Sequence, residues 1–275
     1  MTKFGFFVPN LGPFADACVL ADLAARAEST GWDGFFIWDH VLFDASSSLD
    51  VVAPWVALSA IAMATERIRL GALMTPVSRR RPWNLARETT SLDRLSGGRL
   101  VVGAGLGFPA DAEFELFGEH AQDRIRAERL DEGLEVLAGL WTEEDYVHRG
   151  THFQVGPVTF TPRPVQQPRP PVWIAGWWPH QAPFRRAARW DGSFPELVGG
   201  AQPGLDDVEA IVEFVGSLRG SMEGFDLVLG GYDVLGRSDL DAFSAAGVTW
   251  WLERCDLDRA FSVAEAEALI DRGPR

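Results

Sequence analysis

Eight short apolar runs alternate with amphipathic stretches along the chain, and this alternation limits the possible folds more than any other feature. Each apolar run is dense enough to be a strand buried on both faces, and the stretches between them place apolar residues at helical spacing. The predicted strands are residues 3–8, 34–38, 68–74, 100–104, 172–175, 192–195, 225–229 and 248–252. The predicted helices are residues 16–30, 54–64, 82–95, 123–141, 179–190, 205–218, 238–246 and 263–270. Such a chain is typical of a parallel sheet that is covered by helices.

The number of units favours a closed barrel over an open sheet. Eight β-α pairs predict an α/β protein with a single (β/α)8 barrel of the TIM type over residues 1–275. The alternative is a doubly wound open sheet, which usually needs fewer units. Residues 145–171 depart from the alternation, because they contain a predicted hairpin at 146–160 and a Pro-rich extended connector at 162–171.

Composition excludes several classes of function. The 39 acidic residues outnumber the 25 basic ones, and a net charge of −14 argues against a nucleic acid partner, which needs a basic surface. The 2 cysteines cannot build a disulfide scaffold. The longest apolar stretch, residues 51–64, is shorter than the ~18 residues of a membrane helix. No signal peptide is visible, so we expect a soluble, cytoplasmic protein without a membrane partner.

A barrel carries its active site in the loops that follow the strands. Asp39 and His40 come directly after the second predicted strand. An imidazole at a strand end can donate a hydrogen bond or a proton near neutral pH, and Asp39 can shape the turn or orient a polar group. The alternative is a purely structural Asp-His turn. His40 is therefore the first catalytic candidate, with Asp39 beside it.

Glycines and tryptophans at other strand ends indicate a flat ligand. Gly105 and Gly107 follow the fourth strand, but no apolar helix continues from them as a dinucleotide-binding motif requires. They favour the close approach of a flat ligand to the backbone. Trp38, Trp177 and Trp178 lie at predicted strand ends, where ring faces suit a conjugated ring or an apolar substrate. Simple packing is the alternative for each of them.

Other motifs of enzymatic chemistry are missing from the sequence. His148 and His152 are four residues apart, but they fall in the predicted hairpin rather than on a helix, so we expect no metal site. There is no Gly-x-Ser-x-Gly elbow and no P-loop, so hydrolase and nucleotide hydrolase functions lack their motifs.

Two blocks of motifs follow one another along essentially the whole chain. The first block is Thr65-Glu-Arg-Ile-Arg-Leu-Gly71, Ser91-Leu-Asp-Arg-Leu-Ser-Gly-Gly-Arg-Leu100 and Gly103-x-Gly105-x-Gly107. The second block is residues 129–141, Gly150-Thr-His-Phe153, Pro162-Arg-Pro164 and Pro171-Val-Trp-Ile-Ala-Gly176. Together these motifs resemble the luciferase-like monooxygenase superfamily of flavin- and F420-dependent oxidoreductases. The superfamily has a (β/α)8 barrel, as the count of elements predicts.

The resemblance implies a cofactor site at the barrel mouth. In F420-using members an Asp-His pair after the second strand contacts the deazaflavin ring, and Asp39-His40 matches it. A bulge after the third strand, often with a non-proline cis peptide bond, backs the ring in this family. The matching cofactor-binding positions are Ala72, Leu73 and Thr75 at the bulge, Gly105 and Gly107 beside the ring, and Gly176 and Trp177 at the phosphate-side loop.

Two departures from the family pattern concern the substrate. Phe108 stands where similar sugar-phosphate dehydrogenases have a glutamate, which favours an apolar or aromatic substrate. Trp177 and Trp178 replace a second glycine and small residues, so they either alter phosphate binding or cap the pocket. We expect the substrate pocket to contain Trp38, Phe108, Trp178 and His180.

A run of arginines bears on the choice of cofactor. F420 carries a phosphodiester and a polyglutamate tail, so a protein of charge −14 needs a local basic patch to bind it. Arg79, Arg80 and Arg81 follow the third predicted strand and offer such a patch. A solvated loop or a site for an anionic substrate is the alternative. The sequence thus favours F420 as cofactor, with FMN as the alternative.

The leading hypothesis is an oxidoreductase that passes a hydride from a reduced flavin-type cofactor to a small organic substrate. The alternatives are an FMN-dependent monooxygenase that uses O2 and a catalytically silent barrel that only binds a ligand. We also expect a homodimer, because the predicted helix 54–64 is apolar around its whole circumference and the family commonly pairs there.

Overall fold

Parallel strands close into a barrel in this computed structural model, which describes residues 2–231, 237–255 and 262–274. The strands are, in chain order, β1 (Lys3–Val8), β2 (Gly34–Ile37), β3 (Arg69–Ala72), β4 (Thr75–Pro76), β5 (Val102–Gly105), β6 (Tyr146–Arg149), β7 (Gln154–Val158), β8 (Val172–Trp178), β9 (Gly192–Leu197), β10 (Asp226–Gly231) and β11 (Trp250–Arg254). The helices are α1 (Ala17–Ser29), α2 (Pro54–Ala64), α3 (Pro82–Leu95), α4 (Ala110–Glu113), α5 (Asp123–Thr142), α6 (Gln181–Ala187), α7 (Leu205–Arg219), α8 (Arg237–Ala245) and α9 (Val263–Asp271).

The barrel strands follow the order β3-β2-β1-β11-β10-β9-β8-β5-β4, and their ladders are parallel. β3 and β4 form one strand of the barrel, because only Leu73 and Met74 separate them, and these two residues are joined by a cis peptide bond. Leu70 pairs with Leu100 before this break, and Thr75 pairs with Ala104 after it, which closes the ring. The predicted (β/α)8 barrel is therefore confirmed, and the doubly wound open sheet is wrong.

Strand alternation divides the buried side chains into two layers. The barrel interior is filled mainly by large aromatic and branched residues, namely Phe7, Phe36, Leu73, Val101, Trp173, Phe194, Val228, Trp250 and Leu252. Side chains that point the other way, such as Phe35 and Ile37 of β2, pack under the surrounding helices. Burial on both faces explains why the strands are continuous apolar runs.

The helices begin and end where local chemistry allows. The Asp16 side chain caps α1 by accepting hydrogen bonds from the backbone N–H groups of Cys18 and Val19. α2 begins with Pro54 and buries one face, while Val56 and Met63 stay exposed. Within the described ranges, no helix is both long enough and apolar enough to cross a membrane.

The hairpin of β6 and β7 lies outside the barrel and is tied to α5. The Glu132 carboxylate accepts hydrogen bonds from the backbone N–H groups of residues 151–153 and pairs with His148. The Pro-rich connector that follows is held by Asp93 of α3, which accepts from the backbone N–H groups of Val165 and Gln166.

The strand predicted at residues 172–175 is longer than the sequence indicates. β8 continues to Trp178, because Gly176, Trp177 and Trp178 pair in register with residues 195–197 of β9. These residues were predicted to follow the strand, since a glycine after an apolar run is usually a turn signal. Trp177 and Trp178 therefore point to opposite sides of the sheet.

Candidate active site

The loop after β2 places an imidazole among aromatic rings at the barrel mouth, the end where the strands have their carboxyl ends. Trp38 packs against Phe7 of the barrel interior, with 6.2 Å between the ring centroids. The His40 ring lies edge-to-face against Trp38 and Phe43, at 5.4 and 5.2 Å between centroids. The His40 side chain is 15% exposed. It therefore reaches the mouth while most of its surface is packed.

Asn10 fixes the backbone of His40. The Asn10 side chain is fully buried, and its amide oxygen accepts a hydrogen bond of 3.1 Å from the backbone N–H of His40. Its amide nitrogen donates to the His40 carbonyl at 2.9 Å and to the Val52 carbonyl at 2.8 Å. The loop after β1 thus holds the loop after β2, which sets the position of the imidazole.

Glu113, at the end of the short helix α4, contacts the His40 ring directly. One carboxylate oxygen, Oε1, lies 3.0 Å from His40 Nδ1. The same oxygen accepts hydrogen bonds from the backbone N–H groups of Val41 and Leu42 at 3.0 and 3.2 Å. The other oxygen, Oε2, forms an ion pair with Arg79, and the side chain is only 1% exposed. A buried carboxylate therefore joins the loops after β2 and β5.

The Asp39 carboxylate is turned into the protein rather than towards the mouth. It is 0% exposed and accepts hydrogen bonds of 2.8–2.9 Å from Arg79 and Arg80. Arg80 also reaches Glu88 at 3.5 Å and lies over the Trp55 ring. Both guanidinium groups are largely buried and each is paired with carboxylates. The basic patch predicted at Arg79 and Arg80 is thus neutralised within the chain.

Burial of the imidazole lowers the pKa of His40 from 6.5 to about 4; Arg79 adds to this effect and Asp39 opposes it. The ring is therefore neutral at physiological pH. Since an ionised carboxylate can only accept, the contact with Glu113 favours the hydrogen of the neutral ring on Nδ1. Nε2 then carries a lone pair, and the hydrogen bond that the His40 ring makes to the described residues is through Nδ1. In its neutral form, His40 is therefore arranged to accept a proton at Nε2.

The break in the third barrel strand brings three predicted cofactor positions together. Ala72, Leu73 and Thr75 are all buried at the carboxyl end of this strand. The Thr75 hydroxyl is buried without a hydrogen-bond partner among the described residues. Next to it, a Cβ added to Gly105 would lie 3.2 Å from Met74 Cβ and 3.6 Å from Ala175 Cβ. The glycine therefore allows these two side chains to approach the backbone closely.

Alternation along β8 separates residues that were predicted to act together. Trp177 is 39% exposed and its ring lies 5.5 Å from that of Phe108, which is 62% exposed. Trp178 points outwards and packs against Phe184 of α6, with 5.2 Å between ring centroids. The prediction of Trp178 as a pocket residue thus does not agree with its place in the fold, whereas Phe108 and Trp177 form an exposed aromatic pair.

Gly176 also differs from its predicted setting, whereas the place of His180 in the substrate pocket stays a prediction. Gly176 lies within β8 rather than in a phosphate-side loop, and an added Cβ would lie 2.2 Å from Pro183 of α6. The glycine is required for the close approach of this helix. His180 is exposed immediately before α6.

Comparison with known proteins identifies the family of this chain. The sequence model of the luciferase-like monooxygenase family matches residues 3–239. The chain belongs to the luciferase-like monooxygenase family. The resemblance inferred from the sequence motifs is therefore confirmed.

Relatives of this luciferase-like protein use two types of cofactor. The F420-dependent glucose-6-phosphate dehydrogenase of Microbacterium testaceum is 32% identical over 200 residues, which are 68% of this chain and 57% of that protein. The FMNH2-dependent dimethylsulfone monooxygenase of Pseudomonas putida is 26% identical over 236 residues, which are 76% of this chain and 60% of that protein. The chain spans about three fifths of the length of these curated relatives.

A solved structure shows the same fold. The coenzyme F420-dependent tetrahydromethanopterin reductase of Methanopyrus kandleri has a TM-score of 0.77 with this chain at 16% identity. The superposition covers 98% of this chain and 96% of that one. At this level of identity the likeness concerns the barrel alone.

Four of the predicted cofactor positions would suit a flat heterocyclic ring at the mouth of this luciferase-like barrel. Gly105 presents backbone without a side chain beside Met74 and Ala175, and the unpartnered Thr75 hydroxyl would be available to a ring heteroatom. Ala72 and Leu73 supply apolar support behind it. These contacts suit the ring of F420 and that of FMN equally.

Two residues of the site were not predicted as contacts of His40. Asn10 follows the first predicted strand, and Glu113 lies in the segment that follows the fourth. Both belong to loops at the carboxyl ends of strands, and this position is the signal that could have identified them. Their pairing with residues 40–42 is long-range, so local patterns do not reveal it.

Proposed function

We propose that the protein is an oxidoreductase that binds F420 at the barrel mouth and exchanges a hydride with a small apolar or aromatic organic substrate. The observation that carries this proposal is the neutral His40 imidazole, with Nδ1 bonded to Glu113 and Nε2 free at the mouth. A free lone pair among aromatic rings suits the proton transfer that accompanies the interconversion of an alcohol and a carbonyl compound.

When bound, F420 supplies the two-electron hydride carrier. Ala72, Leu73, Thr75 and Gly105 would hold its ring. In the oxidative direction His40 Nε2 takes the hydroxyl proton as the hydride leaves the substrate carbon. In the reductive direction the same atom returns a proton to the carbonyl oxygen. Trp38 and Phe43 exclude water around the imidazole.

The substrate class follows from the lining of the mouth. Phe108 and Trp177 present an aromatic pair at the mouth, and the glutamate of similar sugar-phosphate dehydrogenases is replaced by Phe108. An apolar substrate gains from burial against these rings, whereas a phosphorylated sugar would find no cation among these ring faces. We therefore propose a small apolar or aromatic alcohol or its carbonyl counterpart.

A second candidate function is that of an FMN-dependent monooxygenase that uses O2. The pairing of Arg79 and Arg80 with carboxylates favours it, because these arginines are no longer free to attract the polyanionic tail of F420. FMN carries a single phosphate and depends less on such a patch.

Titration of the protein with F420 and with FMN, each followed by absorbance and fluorescence, tests the cofactor. The proposal predicts saturable binding of F420 and turnover of small alcohols without oxygen. Binding of FMN alone, with turnover that requires O2, would support the monooxygenase instead. If neither cofactor binds, the barrel is catalytically silent.

A further inference from the structure

We infer that Glu113 is the positioning residue of this site, and that it holds His40 as the tautomer with hydrogen on Nδ1 and a free Nε2. The inference deepens the proposed function and rests on it for its consequences in catalysis. The tautomer of the imidazole, in contrast, is inferred from the geometry of the loops alone.

The position of Glu113 is determined by the packing of its neighbour. Gly107 adopts a φ of +87°, and a Cβ at this position would lie 2.8 Å from the ring of Phe114. Phe114 is almost fully buried and lies under the guanidinium of Arg126, 4.9 Å from the ring centroid. Arg126 in turn donates a hydrogen bond to the Gly107 carbonyl at 2.5 Å. The loop after β5 is therefore held at both ends of α4, and Glu113 is directed at the loop after β2.

The donors around Glu113 require it to be ionised. Oε1 receives two backbone N–H groups in addition to His40 Nδ1, and Oε2 faces Arg79. Every one of these partners stabilises the negative form of a carboxyl group. The two backbone N–H groups and Arg79 cannot accept a hydrogen from a carboxyl group, and all three favour the carboxylate. Glu113 therefore acts as an acceptor only.

This arrangement selects one tautomer of His40. If the hydrogen were on Nε2, the lone pair of Nδ1 would face a carboxylate oxygen at 3.0 Å inside the protein, which is repulsive. With the hydrogen on Nδ1, this contact becomes a hydrogen bond to an ionised acceptor, which is among the stronger kinds. When Nε2 takes a proton from the substrate, the positive ring that results lies beside the negative charge of Glu113. The residue thus orients the base and stabilises its protonated form.

Nitrogen-15 NMR of the ligand-free protein, labelled at histidine, tests the inference without any cofactor. The chain has 5 histidines, and His40→Gln identifies the signals of residue 40. We expect a protonated Nδ1 and a bare Nε2 at neutral pH, with a mixture of tautomers in Glu113→Ala. Glu115→Ala, an exposed position on the same segment, is the matched control and should leave the His40 signals unchanged.

Glu113→Gln is the second variant, which tests the inference if Glu113→Ala does not fold. Its amide oxygen can still accept from Nδ1 and from the two backbone N–H groups, so the tautomer should be kept. Because the negative charge is lost, the titration of His40 should move to lower pH. Turnover should fall by at most about 10⁴-fold, the upper end of the usual contribution of a general base.

A wild-type ring with hydrogen on Nε2, or an unchanged tautomer in Glu113→Ala, would overturn the inference. An unchanged His40 titration in Glu113→Gln would overturn the electrostatic part. Failure of the proposed function gives a different result, since the NMR pattern would then be as expected while F420 is neither bound nor reduced.

Discussion

Removal of the Asp39 carboxylate is the perturbation whose cost can be worked out most fully from the structure. Its side chain is 0% exposed and accepts three hydrogen bonds of 2.8–2.9 Å from Arg79 and Arg80. Removing one partner of a buried ion pair usually costs about 3–5 kcal/mol, because a charge is left buried without compensation. Arg79 keeps Glu113 and Arg80 keeps Glu88. We therefore expect the lower end of that range, about 3 kcal/mol, for Asp39→Ala.

The assay is urea unfolding followed by circular dichroism, with linear extrapolation of the free energy of unfolding to zero denaturant. Asp22→Ala, at an exposed position on α1, is the control and should change stability by no more than about 0.5 kcal/mol. A double-mutant cycle with Arg80→Met isolates the pairwise term, which should be at least about 1 kcal/mol for groups in contact. A loss of less than about 1 kcal/mol in Asp39→Ala would refute the idea that this carboxylate neutralises the arginines.

Three further predictions follow from the same structure. The pKa of His40 lies at about 4 in the folded protein and at 6.5 when unperturbed, so its contribution to stability should be present above pH 6.5 and lost as the pH falls towards 4. In His40→Gln, the free energy of unfolding in urea should therefore fall less between pH 6.5 and pH 4 than in the wild type. Trp177→Ala should raise the KM for apolar substrates at little cost in stability, whereas Trp178→Ala should destabilise the protein by about 2–4 kcal/mol, as measured by urea unfolding. The exposed apolar residues of α2 should form a homodimer contact, and Met63→Glu should shift sedimentation from dimer to monomer.

Each of these predictions has an outcome that would contradict it. A pH dependence of stability that is identical in the wild type and in His40→Gln would mean that the imidazole titrates normally. Equal effects of the two tryptophan variants on KM would contradict the alternation along β8. A wild-type monomer at micromolar concentration would show that α2 is not a subunit interface.

Much of the barrel could be predicted because its signals are local. The helices at residues 54–64 and 82–95 have the predicted bounds, since a proline opens each one and the apolar spacing runs through both. The third strand was predicted as one unit, and the break at Leu73 and Met74 came only from the family resemblance, because neither residue is itself a turn signal. The predicted end of β8 at residue 175 was wrong, because the pairing of β8 with β9 outweighs the turn preference of Gly176.

The site was less predictable because its contacts join distant loops. His40 stands at a strand end, which the sequence indicates, but its partner Glu113 is 73 residues away. The arginine run was interpreted as a free basic patch, since charge alone gives no sign of the Asp39 and Glu113 carboxylates that occupy it. Sequence identifies which residues come to the mouth, and the fold decides which of them face each other.

The central claim is hydride transfer between substrate and F420. The most direct test mixes the protein anaerobically with F420 and a series of small apolar alcohols and measures the loss of F420 absorbance. The account predicts that the wild type reduces F420 without oxygen. It also predicts that His40→Gln binds F420 with similar affinity but reduces it about 10²–10⁴-fold more slowly. If the wild type leaves F420 unchanged but oxygenates substrate with reduced FMN and O2, the protein is a monooxygenase and the hydride-transfer account is wrong.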